Sequence, residues 1–267
     1  MAKKAQELEH LKTSLKDNPT IGPLIGATLT LDQAKALLVY ADVLQQKKFV
    51  TTVFLEAARG RGKSAAMGFG LAAALAKGIS SIFVTAPSPE NLTTFFEFTI
   101  KGLELLGFKQ SVHFEVIRTP IENVSQGGEK TQDSNAKKTE AVTRLNFYAT
   151  HKQIVQYFDP VQGESLHYAE LLIIDEAAAI PLPLVKKMLG RCPVFISSTV
   201  HGYEGTGRSL SLKLIKQLRQ ASTQEKGYSG ELPFREVKME EPIRYSLNDP
   251  IEKWLYDLLL LDVRSLG

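Results

Sequence analysis

Ala57-Ala58-Arg59-Gly60-Arg61-Gly62-Lys63-Ser64 is the stretch that decides the fold. An apolar run, Val53-Phe54-Leu55, precedes it, and an alanine-rich run from Ala65 to Lys77 follows. Strand, glycine-bearing loop and helix, with Gly-Lys-Ser at the loop-to-helix junction, is the layout of a phosphate-binding loop. The backbone N–H groups of such a loop and the first turn of the helix form a concave anion site. Ala58, Arg59, Gly60, Arg61, Gly62, Lys63 and Ser64 are therefore candidate nucleotide contacts. Lys63 is expected to reach the β- and γ-phosphates from a solvent-filled cleft, and the Ser64 hydroxyl to ligate Mg²⁺. Ala57 stands where the general pattern has its first glycine, so that position needs a backbone conformation open to alanine. The competing reading is a basic surface loop that contains Gly-Arg-Gly-Lys-Ser by accident.

Leu171-Leu172-Ile173-Ile174 leads into Asp175-Glu176-Ala177-Ala178. A fully apolar strand is buried on both faces, as in the centre of a parallel sheet. Acidic residues at its C-terminal end then stand where ligands bind in open α/β sheets. The segment resembles a Walker B motif of the D-E-A-x helicase kind. In that role Asp175 holds Mg²⁺ through its water shell, and Glu176 orients and deprotonates the attacking water. A solvated acidic turn is the alternative. Together with Lys63, the pair supplies a phosphate cradle, a metal position and a water-positioning carboxylate, the parts phosphoryl transfer needs.

Three further segments point to the same site. Val194-Phe195-Ile196 ends in Ser197-Ser198-Thr199, which resembles the coupling motif of helicases or is an ordinary polar strand end. Gly202-Tyr203-Glu204-Gly205-Thr206-Gly207-Arg208 opens a helix. Arg208 either brings positive charge to the γ-phosphate in cis, as an arginine finger does, or is a solvated residue in a glycine loop. Thr30-Leu31-Asp32-Gln33 opens an earlier helix. There Gln33 either reads adenine or completes a capping box with Thr30.

The chain has 267 residues, 43% of them hydrophobic, enough to bury the core of one α/β domain. No apolar run approaches the length of a membrane span, and Met1-Ala2-Lys3-Lys4 starts no signal-peptide pattern. The single cysteine, Cys192, excludes internal disulfides and cysteine-rich zinc sites and reads as a small core residue. The five histidines show no metal-ligand spacing. These features suggest a reducing, intracellular location. A net charge of +3 permits nucleic-acid binding without demanding it. Lys213, Lys216 and Arg219 form a stripe on a helix expected over Ser209–Gln220, with Lys186, Lys187 and Arg191 near a second short helix. Either group meets RNA phosphates or is a solvated face.

Along the chain, helices are expected over residues 5–17 and 31–45, with Gly22-Pro23 and Gly26 marking a loop between them. Gly78 closes the helix after the phosphate loop, and a strand follows over 79–85. Ser88-Pro89 starts a helix that runs to about Leu106. Its Phe95, Phe96, Phe98 and Leu103 read as core rather than as a base-stacking platform. Strands are expected over 112–118, 142–148 and 234–239, and a last helix over 249–262. The polar stretches near 122–140 and 222–231 read as disordered inserts. The expected architecture is α/β: a single RecA-like P-loop NTPase domain, a mainly parallel sheet with helices on both faces. Residues 1–50 form a helical lead-in and 51–267 the ATPase domain. Both ends read as cuts in a longer chain.

A-A-R-G-R-G-K-S at 57–64, A-P-S-P-E-N-L at 86–92, I-D-E-A-A-A-I-P-L-P at 174–183, G-Y-E-G-T-G-R-S-L-S-L-K-L at 202–214 and E-P-I-R-Y at 241–245 occur in this order. Together they resemble the RecD-like helicase/ATPase region of the RNA cytidine acetyltransferases, in their eukaryotic nucleolar branch, over nearly the whole chain. Within that family Ala57 is no departure. The resemblance implies an ATP- and Mg-using module of an enzyme that forms N4-acetylcytidine in 18S rRNA and tRNA from acetyl-CoA. It also implies small-subunit pre-ribosome factors and a tRNA adaptor protein as partners, and the nucleus and nucleolus as location. No acetyl-CoA pyrophosphate loop is found in these residues, so the acetyltransferase domain is expected outside this chain. With one P-loop and one Asp-Glu pair, unwinding by this region alone is not expected. A non-hydrolysing nucleotide switch and a pre-ribosome scaffold are the rival readings.

Overall fold

The computed structural model describes residues 2–46, 50–120, 140–199, 213, 215–217 and 234–243. Its centre is β1 (Thr52–Ala57), where every residue but Glu56 is buried. A strand this apolar needs neighbours on both edges and cover on both faces. It has them: β7 (Val194–Thr199) pairs with it in parallel on one side and β8 (Phe234–Met239) on the other. With β2 (Ser81–Thr85), β3 (Phe114–Pro120), β4 (Glu140–Phe147), β5 (Gln153–Tyr157) and β6 (Leu171–Ile174), the order is β3-β4-β5-β2-β6-β7-β1-β8. The run from β5 to β8 is parallel throughout. Antiparallel pairs β5–β4 and β4–β3 extend the far edge, with a bulge between Ile117 and Arg118.

Side-chain alternation divides the core. Val53, Leu55, Ile173 and Phe195 face a cluster with α1 (Ala2–Leu15), α2 (Gly22–Gly26), α3 (Leu31–Gln45), α4 (Lys63–Ala76) and α5 (Thr93–Leu105). Phe54, Leu172, Ile174 and Ile196 face the other cluster, with Val185 and Met188 of α6 (Leu182–Met188) and with Ile215. Helices therefore cover both faces of a mainly parallel sheet, the RecA-like P-loop fold expected from the sequence. Leu24, Leu37 and Tyr40, from the lead-in over 1–50, lie in the same cluster as the strands. The Tyr40 ring stacks on Phe195 at 4.3 Å.

Three local readings change. The Gly22-Pro23 to Gly26 segment is a short helix, because Pro23 suits a first turn and Leu24 and Ile25 are fully buried. Gln153–Tyr157 is a strand that the sequence reading missed. The helix expected from Pro89 begins as a 3-10 turn, Pro89–Leu92, before α5. Ser88 does start it: the Asn91 Oδ1 accepts from the Ser88 N–H at 3.2 Å and hydroxyl at 2.6 Å. Phe95, Phe96 and Leu103 are core, as expected. The expected insert near 122–140 lies outside the described residues, except that Glu140 opens β4. The insert near 222–231, the 202–208 loop with Arg208, Arg219 and the 249–262 helix also lie outside them.

Candidate nucleotide site

The site forms where β1, β7 and β6 end together. Ala57 is the last residue of β1, extended and paired in register with Thr199 and Met239. Its place in the ladder suits an alanine, which explains why no glycine is needed there. The glycines that matter come next. Gly60 and Gly62 have φ of 74° and 79°, a left-handed conformation that costs other residues energy. At Gly62 a Cβ would also lie 2.2 Å from Gln33 Nε2 and 2.3 Å from Ile243 Cδ1. The loop then delivers α4, whose first intrahelical bond runs from Ala66 N–H to Gly62 C=O at 3.0 Å. The N–H groups of Lys63, Ser64 and Ala65 precede that bond, and the helix dipole adds partial positive charge there. A cavity of about 500 Å³ lies over this turn. Ala58, Arg59, Gly60, Arg61, Gly62, Lys63 and Ser64 all line it, with Gln33, Glu176 and Thr199.

Lys63 is not in a solvent-filled cleft. Its side chain is 9% exposed, and its Nζ is 3.4 Å from Asp175 Oδ1. It also pairs with Glu176 and donates to Thr199 Oγ1 at 3.2 Å. Against the expectation of a solvent-filled site, long-range contacts between strand ends bury the ammonium. Asp175 is 1% exposed and accepts from the Ser197 hydroxyl and, at 3.0 Å, from the Glu176 N–H. Glu176 itself has φ 50° and ψ 46°, an uncommon conformation for a residue with a side chain. That turn swings its carboxylate toward Lys63, where Thr199 Oγ1 lies within 2.7 and 2.8 Å of its two oxygens. Strained backbone held by specific contacts is a feature of working sites. Beneath them, Tyr40 is fully buried. Burial, and secondarily the Asp175 carboxylate, hold its hydroxyl protonated far above the ordinary range.

Gln33 reaches the site in a double role. Its N–H donates to Thr30 Oγ1 at 3.2 Å, the expected cap. Its side chain does not close the box on Thr30. It accepts from the Leu29 N–H at 2.9 Å and donates to the Gly62 C=O at 3.3 Å, so it braces the phosphate loop. The neighbouring Asp32 accepts from the N–H groups of Glu240 and Glu241 at 2.8 and 3.0 Å. Sequence reading had no signal for that tie, which joins residues more than 200 positions apart. Arg208 lies outside the described residues.

The hard oxygen donors of Ser64 and Asp175 suit Mg²⁺, which takes one or two protein ligands and fills its shell with water and phosphate oxygens. Among the described residues no group of three or more His, Cys, Asp or Glu forms a metal cluster.

The geometry is that of a phosphate-loop site at the C-terminal edge of a mainly parallel sheet, and sequence comparison gives the family. The family model of the RNA cytidine acetyltransferase NAT10/TcmA, helicase domain, matches residues 54–262. The chain belongs to this family. RNA cytidine acetyltransferase 1 of Arabidopsis thaliana is 46% identical over 264 residues, covering 97% of this chain and 24% of the relative. RNA cytidine acetyltransferase of Homo sapiens is 46% identical over 269 residues, covering 96% of this chain and 25% of the relative. The chain thus spans about a quarter of the length of these RNA cytidine acetyltransferases. Among solved structures, the large terminase of a thermophilic bacteriophage superposes with a TM-score of 0.51 at 11% identity. That match covers 84% of this chain and 49% of the terminase. At that identity the likeness is one of fold.

The Thr199 hydroxyl touches both the Lys63 ammonium and the Glu176 carboxylate. In this helicase-domain family member, Thr199→Val keeps the shape and removes the hydroxyl. The expected result is a fall in kcat of roughly tenfold or more with KM changed less than about threefold, because the carboxylate loses its orientation rather than the nucleotide its cradle. Steady-state phosphate release checks it. An unchanged kcat would make Thr199 a bystander.

Proposed function

We propose that this chain is the ATP-binding and ATP-hydrolysing, helicase-like module of an RNA cytidine acetyltransferase. The parent enzyme forms N4-acetylcytidine in 18S rRNA and tRNA and supports small ribosomal subunit biogenesis in the nucleus and nucleolus. The acetyltransferase domain, with acetyl-CoA, lies outside this chain. Small-subunit pre-ribosome factors and a tRNA adaptor protein are its partners in that work. Family membership supports the setting. The observation that carries the ATPase reading is the junction of Lys63, Asp175, Glu176 and Thr199 at the head of α4.

In this reading the nucleotide phosphates occupy the first turn of α4. The anion draws Lys63 away from Glu176, and the freed carboxylate takes the proton of the attacking water. Ser64 and Asp175 would hold Mg²⁺, which would supply positive charge against the phosphates. Arg208 adds positive charge at the γ-phosphate. The pairing of Lys63 with Glu176 also fits the switch alternative, in which binding alone rearranges the site. Multiple-turnover phosphate release by the full chain, with and without RNA, separates the two. Turnover beyond one phosphate per site supports the enzyme, and binding without turnover supports the switch.

RNA handling is assigned to the helix after the 202–208 loop. Of its stripe, Lys213 and Lys216 are exposed while Ile215 between them is buried, so the two lysines share the outer face. Lys213→Ala with Lys216→Ala should weaken RNA binding and lower the slope of log affinity against log salt by about one to two units. Anisotropy across a salt series measures it. Equal slopes for mutant and wild type would return the stripe to solvent.

A further inference from the structure

On the α3 and α4 face of the sheet, β6 and β7 end in two tiers. Ile173 pairs in register with Phe195. Two residues further along each strand, the Ser197 hydroxyl donates to Asp175. Residues i and i+2 of a strand share a face and stand about 7 Å apart. Phe195 therefore lies directly beneath the Asp175–Ser197 pair, and the Tyr40 ring stacks on Phe195 at 4.3 Å.

Two helices hold that ring. Side chains of a helix lean toward its N-terminus. The N-terminus of α3 is the end that Gln33 ties to the phosphate loop, so Tyr40 leans toward the nucleotide edge. From the other side α4 closes in: a Cβ at Gly70 would lie 2.7 Å from Tyr40 Cδ2. Gly70 is two turns along α4 from Lys63 and on the same face. Lys63, Asp175 and Tyr40 thus share the space between α4 and the sheet. Tyr40 is wholly buried, and its hydroxyl has no hydrogen-bond partner among the described residues. A buried hydroxyl left in that state costs stability. Phenylalanine would fill the same space without the cost.

Asp175 supplies a use for the oxygen. Its hydrogen bonds from Lys63, Ser197 and the Glu176 N–H all end on Oδ1. In the nucleotide reading the phosphates draw Lys63 away, and a carboxylate only 1% exposed loses that cation. Burial keeps the Tyr40 hydroxyl protonated, so it stays a donor. We propose that the Tyr40 hydroxyl is the reserve donor of the site: it bonds the Asp175 carboxylate when Lys63 moves to the phosphates. This rests on the nucleotide reading above and adds a positioning residue to it. Tyr40 does not line the cavity and acts through Asp175.

A double-mutant cycle read by thermal melts of the full chain tests the donor without any nucleotide. Tyr40→Phe keeps the ring and its stack. In the wild-type background it should leave Tm unchanged or raise it by about 1 °C. In the Lys63→Ala background Asp175 has already lost the ammonium, and Tyr40→Phe should lower Tm by roughly 3 °C. Equal shifts in both backgrounds would overturn the proposal. An equal fall would mean that the hydroxyl already has a fixed partner, and two null results that it has no task. Turnover gives the second readout. Tyr40→Phe should raise KM for Mg-ATP about tenfold with kcat changed less than about threefold, because the lost bond forms on binding rather than in the chemical step. An unchanged KM would also overturn it. A chain that shows the coupling in melts but binds no ATP overturns the nucleotide reading, and the reserve role with it.

Discussion

Replacing Lys63 with alanine should abolish phosphate release, with a loss of at least about a thousandfold in kcat/KM. Its ammonium reaches the ends of both β6 and β7, within 3.4 Å of Asp175 and paired with Glu176. No neutral side chain can stabilise charge developing on a γ-phosphate there. The burial of Lys63 adds a second outcome. Asp175 is 2% exposed at its side chain, so removing its partner leaves a desolvated carboxylate. Breaking a buried pair costs about 3–5 kcal/mol. Here the Ser197 hydroxyl and the Glu176 N–H still satisfy Asp175, so about 2 kcal/mol is the better figure. In a chain of this size that lowers Tm by several degrees. Calorimetric melts and coupled-enzyme turnover, run on the same preparation, measure both. Wild-type turnover in Lys63→Ala would remove the residue from the mechanism. An unchanged Tm would show that the ion pair contributes nothing to folding.

Glu176→Gln should separate binding from hydrolysis. Glutamine nearly preserves the shape and can still accept from Thr199, but it cannot take the proton of water. The expected fall in kcat is about 10²–10⁴-fold. Nucleotide affinity should hold or rise, because Glu176 and an incoming phosphate compete for the same ammonium. Single-turnover hydrolysis together with equilibrium ATP binding tests this. Persistent turnover with weakened binding would make Glu176 a structural residue that merely anchors Lys63.

The elements that frame the candidate nucleotide site were readable from local pattern. Val53-Phe54-Leu55 and Leu171 to Ile174 are runs too apolar for anything but central strands, and Gly62-Lys63-Ser64 marks where a loop becomes a helix. Gln153–Tyr157 escaped notice because a five-residue strand with glutamine near each end carries little apolar signal. Its Gln153 is nevertheless buried, where its amide donates to the carbonyls of Leu75 and Ile79 at 2.9 and 2.8 Å. Gly22 to Gly26 looked like a loop because glycine was weighed above the buried Leu24 and Ile25. The larger gap concerned Lys63 and Asp32. Whether an ammonium is buried, or a carboxylate binds distant N–H groups, depends on which strand ends meet in space, and no local pattern encodes that. Gln33 shows the mixture: its cap was legible, its brace on Gly62 was not.

The order of strands has a consequence for how the chain acquires its shape. Lys63 and Asp175 are 112 residues apart, and Lys63 and Thr199 are 136. β1 lies between β7 and β8, both of which come late in the sequence. A ribosome making the chain in order releases β1 long before either edge partner exists. Until then an apolar strand with open edges waits in the nascent chain, the kind of segment that aggregates or recruits chaperones. Closing such distant pairs is slow. The ammonium, the carboxylates and the phosphate loop therefore come together in the last act of folding. A ligand that binds only the finished site would pull that step forward by mass action.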